Sequence, residues 1–211
     1  MRQRNIKNIE EKLELNSSFL IRTPREFKGK WLEEFDNKNP IYLEIGCGKG
    51  QFVFSQAKEN PDRNYIAIEG QENVALRALE KAEQGGLKNL RIFIDYVQDL
   101  KDYFEEGELK GIYLNFSDPW PKARHAKRRL TYHKRLHNYK EVIGRDGCIE
   151  FKTDNDGLFE FTMEEILEHG FEVVETTRDL HKSEFESKHI TTEYEDKFRK
   201  NGKNINYVKI K

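Results

Sequence analysis

Residues Ile41 to Glu59 read IYLEIGCGKGQFVFSQAKE, and this stretch decides how the chain folds. Its first five residues form a short apolar run, Gly46, Gly48 and Gly50 punctuate its middle, and from Gln51 the composition turns helical. That order predicts a strand, a tight turn and a helix. The pattern returns along the chain. NYIAIE (64–69) precedes a helical Asn73–Gln84 closed by Gly85 and Gly86, and LRIFI (90–94) precedes a short helix. GIYLNF (111–116) precedes Leu130–Ile143, and CIEFKT (148–153) precedes Leu158–His169. After Phe171–Thr177 comes a polar stretch, Arg178–Lys203, and then a last strand-like INYVKI at 205–210. Strands alternating with helices of this length predict an α/β, doubly wound, mostly parallel, seven-stranded Rossmann-like sheet.

The 211 residues suffice for one sizeable core, so a single folded unit is expected. Residues 1–40 read as an N-terminal extension with an amphipathic first segment, and 41–211 as the domain proper. Charged residues make up 36% of the chain and no apolar run approaches the ~20 residues of a membrane span. The polar N-terminus MRQRNIKNIEEK lacks the apolar core of a signal peptide, which makes the cytoplasm the expected location. Cys47 and Cys148 stand far apart with no CxxC spacing, so neither a zinc site nor a disulfide framework is indicated. His125, His133, His137 and His181 read as hydrogen-bonded surface side chains, and no metal is expected.

The formal net charge of −1 hides strong segregation. From Pro119 to Lys140 there is no acid, while Lys122, Arg124, Lys127, Arg128, Arg129, Lys134, Arg135 and Lys140 are basic. A polyanion suits that run.

In a doubly wound sheet the ligand lies at the carboxyl ends of the strands, where the winding reverses. The glycines of EIGCGKG are spaced GxGxG, whereas the dinucleotide fingerprint GxGxxG would need a glycine at Gln51. With Glu44 two residues ahead of Gly46, the pattern is similar to that of S-adenosylmethionine-dependent methyltransferases of this sheet type. Glu69, ending the second strand, is placed to accept the ribose hydroxyls of a bound nucleoside. At the third strand's end Asp95 and Tyr96 offer an adenine wall, with the choice between them open and a helix cap an equal reading for Asp95. Cys47 reads as a small apolar filler in the turn.

NFSDPWPK follows the fourth strand, so Asp118 projects beside the reactive end of such a ligand. Pro119 and Pro121 stiffen the loop, and Trp120 supplies a flat face for a base. Asp-Pro-Trp is similar to the Asp-Pro-Pro-aromatic loop of enzymes that methylate exocyclic base amines.

Taken together, EIGCGKG, YLNFSDPWPKARHAKRRLTY, FKTDN (151–155) and TEYEDKF (192–198) resemble the bacterial tRNA (guanine-N7)-methyltransferase family over about residues 40 to 210. That family methylates a guanine in the variable loop of tRNA. The resemblance implies S-adenosylmethionine as cofactor, tRNA as partner and a methyltransferase sheet, with the oligomeric state left open. It implies a catalytic and cofactor-proximal role for Asp118 and cofactor binding by Glu44 and Glu69, to which the glycine turn adds Gly46 and Gly48 and the third strand's end Asp95 or Tyr96. It also implies substrate binding by Lys122, Asp154, Thr192, Glu193, Tyr194 and Glu195, to which the basic run adds Arg124, Lys127, Arg128 and Arg129 as phosphate contacts. The family usually carries an acid where Tyr96 stands and a lysine where Ala123 stands. Asp154 reads equally as a helix cap, and TEYE as either a closing loop or the start of a terminal helix. Two further functions stay open: methylation of an exocyclic base amine of RNA, and a non-catalytic RNA-binding module.

Overall fold

The computed structural model describes residues 6–195 and 202–211. Helices α1 (Ile9–Leu15) and α2 (Trp31–Phe35) precede β1 (Ile41–Ile45), α3 (Gln51–Glu59), β2 (Asn64–Glu69), α4 (Glu72–Gly85) and β3 (Leu90–Ile94). Then follow β4 (Leu109–Asn115), α5 (His133–Val142), β5 (Ile143–Thr153), α6 (Asp156–Glu168), β6 (Val173–Thr177) and β7 (Asn206–Ile210). The seven strands form one sheet in the order β3-β2-β1-β4-β5-β7-β6, parallel except for β7, which runs antiparallel to both its neighbours. The expected architecture is therefore the observed one.

Both faces of the sheet are covered, which is why its central strands read as unbroken apolar runs rather than alternating ones. In β2 the residues Asn64 to Ile68 are all buried. On one face Phe52, Val53, Leu76 and Leu79 of α3 and α4 pack on Tyr65, Ala67 and Ile92. On the other, Leu136 and Tyr139 of α5 and Phe159 and Ile166 of α6 pack on Ile112, Leu114 and Phe151.

Residues 6–37 join this core. Trp31 is fully buried, stacks on Phe93 and Phe104, and donates its indole N–H to the Tyr103 carbonyl at 2.9 Å. Leu13 and Phe19 enter the α3–α4 layer, and the Ile21 amide donates to the Ile92 carbonyl at 2.8 Å beside β3. Glu108 takes the amides of Gly29 and Trp31 on its two carboxylate oxygens.

Two elements differ from expectation. After β3 there is only a 3-10 turn, Leu100–Asp102, capped by Asp99. Beyond it the Glu105 amide donates forward to Glu108 Oε2 at 2.9 Å instead of to a helical carbonyl. Helix α5 starts at His133, not Leu130, because Ala123–Arg128 forms a separate 3-10 stretch and Arg129 and Tyr132 are extended.

Candidate active site

Strands β1 to β4 are parallel, so their carboxyl ends share one edge, and the order reverses between β1 and β4. A cleft of about 660 Å³ opens there. Its floor is Gly46 and Gly48 after β1, Glu69 at the end of β2 with Gly70 after it, Asp95 to Gln98 after β3, and Phe116 and Ser117 after β4, with the exposed Asp118 at its mouth.

The glycine turn is tied to β2. The amides of Gly46 and Cys47 donate to the Ile68 carbonyl at 2.8 and 3.0 Å, and that of Gly48 to Glu69 Oε2 at 3.0 Å. Gly46 (φ +76°) and Gly48 (φ +59°) adopt the left-handed conformation that glycine alone takes without strain, and a Cβ at either would meet nothing within 4 Å. The turn thus presents bare backbone to open space. Glu69 Oε1 accepts the Gln71 amide at 3.0 Å and the Gly70 amide also favours the anion, which still leaves the carboxylate spare acceptor capacity on the cleft floor. Burial raises the Glu69 pKa against these amide bonds, and Asp118 across the cleft adds to the rise.

Glu44 lies behind the wall rather than in it. It is buried, and Oε1 accepts the Asn115 side-chain amide at 2.8 Å, linking β1 to β4. Oε2 has no hydrogen bond of ordinary geometry, although the Val53 amide lies close enough to favour the anion. Burial dominates and pushes the Glu44 pKa up to about 7. Cys47 is a buried thiol raised by the same cause, in keeping with a filler.

At the third strand's end both candidates line the cleft. Asp95 accepts the Tyr103 hydroxyl at 2.6 Å. Tyr96 is exposed and lies over Gly70, where a Cβ would come within 2.3 Å of its ring, so only glycine admits the ring there.

The Asp118 loop is held under strain. Phe116 (φ +50°) and Trp120 (φ +42°) are non-glycine residues in the left-handed region, on either side of Asp118. Arg129 holds that shape: its guanidinium donates to the Pro119 and Trp120 carbonyls at 3.1 and 3.0 Å and lies over the Phe161 ring at 4.1 Å. Arg128 covers Trp120 at 4.8 Å. Asp118, Lys122, Arg124, Lys127 and Arg128 are exposed, and Trp120, Lys127 and Arg128 form the cleft's rim.

Thr192 and Glu195 form a reciprocal helix cap, the Thr192 hydroxyl accepting the Glu195 amide at 3.0 Å and the Glu195 carboxylate facing the Thr192 amide at 3.3 Å. The cap is buried on Lys152 of β5, whose ammonium lies 3.4 Å from Glu195 Oε2. Thr192 and Glu195 are thereby turned inward, while Tyr194 lines the cleft and stacks on Phe116, and Glu193 bridges Lys49 and Lys81 at 3.5 Å each. Residues 196–198 of TEYEDKF lie outside the described residues. Asp154 pairs with Lys203 at 3.0 Å and is not part of the cleft wall; the cap of α6 is Asn155. Gln98, which the sequence did not point to, and Arg135, named only as part of the basic run, also line the cleft, with the Arg135 guanidinium donating to Gln98 Oε1 and the Val97 carbonyl at 3.2 Å.

A seven-stranded sheet with its last strand reversed, a bare glycine turn and an acid after β2 define a methyltransferase of the doubly wound class. Among solved structures the chain is similar to an antibiotic-related methyltransferase, with TM-score 0.62 at 15% identity over 86% of this chain and 92% of that one. It is also similar to a SAM-dependent methyltransferase from Aquifex aeolicus, with TM-score 0.55 at 17% identity over 97% and 98%. These likenesses speak for the fold. Residues 38–208 match a family described as "Putative methyltransferase". The chain is 47% identical over 205 residues to the tRNA (guanine-N(7)-)-methyltransferases of two Streptococcus pneumoniae strains, 70585 and Taiwan19F-14, covering 97% of each chain. The chain belongs to the bacterial tRNA (guanine-N7-)-methyltransferase family.

Proposed function

We propose that this chain transfers a methyl group from S-adenosylmethionine to N7 of a guanine in the variable loop of tRNA. The observation that carries the proposal is one cleft with Glu69 on its floor and Asp118 at its mouth, opening onto a surface where Lys122, Arg124, Lys127 and Arg128 stand exposed. The bare backbone at Gly46 and Gly48 and the spare lone pairs of Glu69 suit a nucleoside cofactor. When bound, that cofactor supplies a methyl group on a sulfonium.

Glu69 would hold the ribose hydroxyls, and Tyr96 or Asp95 would meet the adenine. Guanine N7 carries an exposed lone pair and no proton, so no general base is required, and the chain's contribution is alignment and a suitable field. Asp118 would orient guanine by accepting from N1–H and the exocyclic amine, with Trp120 or Tyr194 against the base. Glu44, behind the wall, would shape the turn from beneath instead of touching the cofactor. The basic residues would carry phosphates, which position the tRNA without reading sequence. Residues 6–37 belong in this reading to the same folded unit as the catalytic domain. Among the described residues no helix is long and apolar enough to cross a membrane, which accords with a cytoplasmic enzyme.

The test is incubation with labelled cofactor and unmodified tRNA, followed by chemical cleavage at N7-methylguanine. Cleavage at one variable-loop guanine is expected. Methylation without cleavage would assign an exocyclic amine instead, and cofactor binding without methylation would reduce the chain to a binding module.

A further inference from the structure

We propose that His133, Glu165 and His169 form a binding site for a divalent transition-metal ion of the zinc class, on the outer surface where α5 meets α6. His133 opens α5, Glu165 lies in the last turn of α6, and His169 is the residue that ends it. One ligand atom from each lies within 4.8 Å of the other two. Glu165 Oε2 is 2.7 Å from His133 Nδ1 and 4.0 Å from His169 Nε2, and the two imidazole rings meet edge to face with centroids 4.0 Å apart.

A tetrahedral zinc ion with bonds of about 2.0–2.2 Å spaces its ligand atoms about 3.4 Å apart. Glu165 Oε2 stands at distances either side of that value from the two histidine nitrogens, and every pair of the three ligand atoms lies within 4.8 Å, so side-chain movements of about an ångström would seat the ion. Two imidazoles and one carboxylate also form a donor set that favours zinc, nickel or cobalt over magnesium or calcium, which prefer all-oxygen ligands. At present one carboxylate oxygen is the focus of three groups: it accepts the His133 amide at 2.6 Å, faces His133 Nδ1, and leaves His169 beyond hydrogen-bond reach. A cation at the centre would take the Nδ1 lone pair of His133 in its other tautomer, the lone pair of His169 and the carboxylate together. The three side chains are 25%, 13% and 30% exposed, enough for an ion to enter and for water to complete its shell.

The site would clip the start of α5 to the end of α6. His133 follows Arg129 by four residues, and the Thr131 and Thr162 hydroxyls already join the same two segments at 2.7 Å. The metal would thus brace the support of the Asp118 loop and lies outside the cleft.

The experiment is calorimetric titration of zinc chloride into tag-free, chelator-treated full-length protein, with metal content after dialysis and thermal melts in parallel. One equivalent of zinc is expected to bind and to raise the melting temperature. His169→Ala and Glu165→Gln should each weaken binding at least tenfold, while His125→Ala, at a surface histidine elsewhere, should not. Metal-free melts of the variants separate lost ligation from lost folding. Absence of binding, or binding that His169→Ala and Glu165→Gln leave unchanged, overturns the site and leaves a His133–Glu165 hydrogen bond with the His169 ring packed edge-on beside it.

Discussion

Lys152 and Glu195 are ion-paired at 3.4 Å with their side chains 2% and 1% exposed. The pair joins the centre of the sheet to the segment carrying Tyr194 into the cleft, and His181 Nε2 lies 3.4 Å from the other Glu195 oxygen. Removing one member of a buried pair strands the other charge. Glu195→Ala should therefore cost about 3–5 kcal/mol in urea unfolding, and the joint replacement Lys152→Met with Glu195→Leu much less. Equal losses in both proteins would show that the pair is not what docks the segment.

Glu69 serves two masters, the Gly48 and Gln71 amides and the proposed ribose. Glu69→Ala should weaken S-adenosylmethionine binding by ~1–3 kcal/mol through loss of charge-assisted hydrogen bonds. Calorimetry giving the parent affinity would move the cofactor off β2.

The pKa of Glu44 is raised from its usual 4.5 to about 7, chiefly by burial. Between those values the folded chain holds a proton that the unfolded chain has released, so stability falls as pH rises from about 4.5 to about 7 and is level above. At about 1.4 kcal/mol per pH unit the loss is roughly 3 kcal/mol. Glu44→Gln keeps the acceptor for Asn115 and removes the titration. Unfolding free energies from pH 5 to 8 should decline for the parent relative to the variant, and parallel curves would refute the assignment.

Asp118→Asn turns one acceptor into a donor facing guanine's donors. Single-turnover methylation should drop by ~10² or more with tRNA affinity nearly unchanged. The parent rate should also lack the pH dependence of a base titrating near neutrality. An Asn variant reacting at the parent rate would take Asp118 out of the mechanism.

The basic run divides by contact. Arg129 grips two carbonyls of the strained loop, whereas Lys122 and Arg124 are exposed. Lys122→Ala and Arg124→Ala should each flatten the salt dependence of tRNA binding by roughly one unit of log–log slope with no change in melting temperature. Arg129→Ala should instead cost ~1–3 kcal/mol of stability and slow methylation, since it strands the Pro119 and Trp120 carbonyls and lets the loop that carries Asp118 shift. If Arg129→Ala behaved like the other two, it would be a phosphate contact after all.

The sheet was legible because β1, β2, β4 and the second half of β5 are largely buried; Gly46, Gly48 and Glu69 could be placed from strand order alone. Less legible was whatever depends on which way a side chain faces. Glu44 sits on the strand that carries the glycine turn, yet its parity turns it away from the cleft. Thr192 and Glu195 have the spacing of a capping box, a signal present in the sequence and readable as such. Trp31 belongs to the core although residues 1–40 show no strand–helix rhythm, because a single indole buried against Phe93 and Phe104 needs no periodicity. The meeting of His133 with Glu165 and His169 depends on the packing of α5 on α6, which no local spacing encodes.

Strand β7 comes later in the chain than β5 and β6, yet it lies between them. Among the described residues β6 is therefore hydrogen-bonded to the rest of the sheet only through β7, and β7 cannot leave the sheet without taking β6 with it. The connection between them carries Thr192 to Glu195 and holds Tyr194 against Phe116. In amide exchange β6, β7 and Thr192 to Glu195 should open as one cooperative unit, at lower free energy than β1, β2 and β4. On refolding, the cleft gains its last wall only when that unit closes, so cofactor affinity should recover after the β1–β4 core has formed.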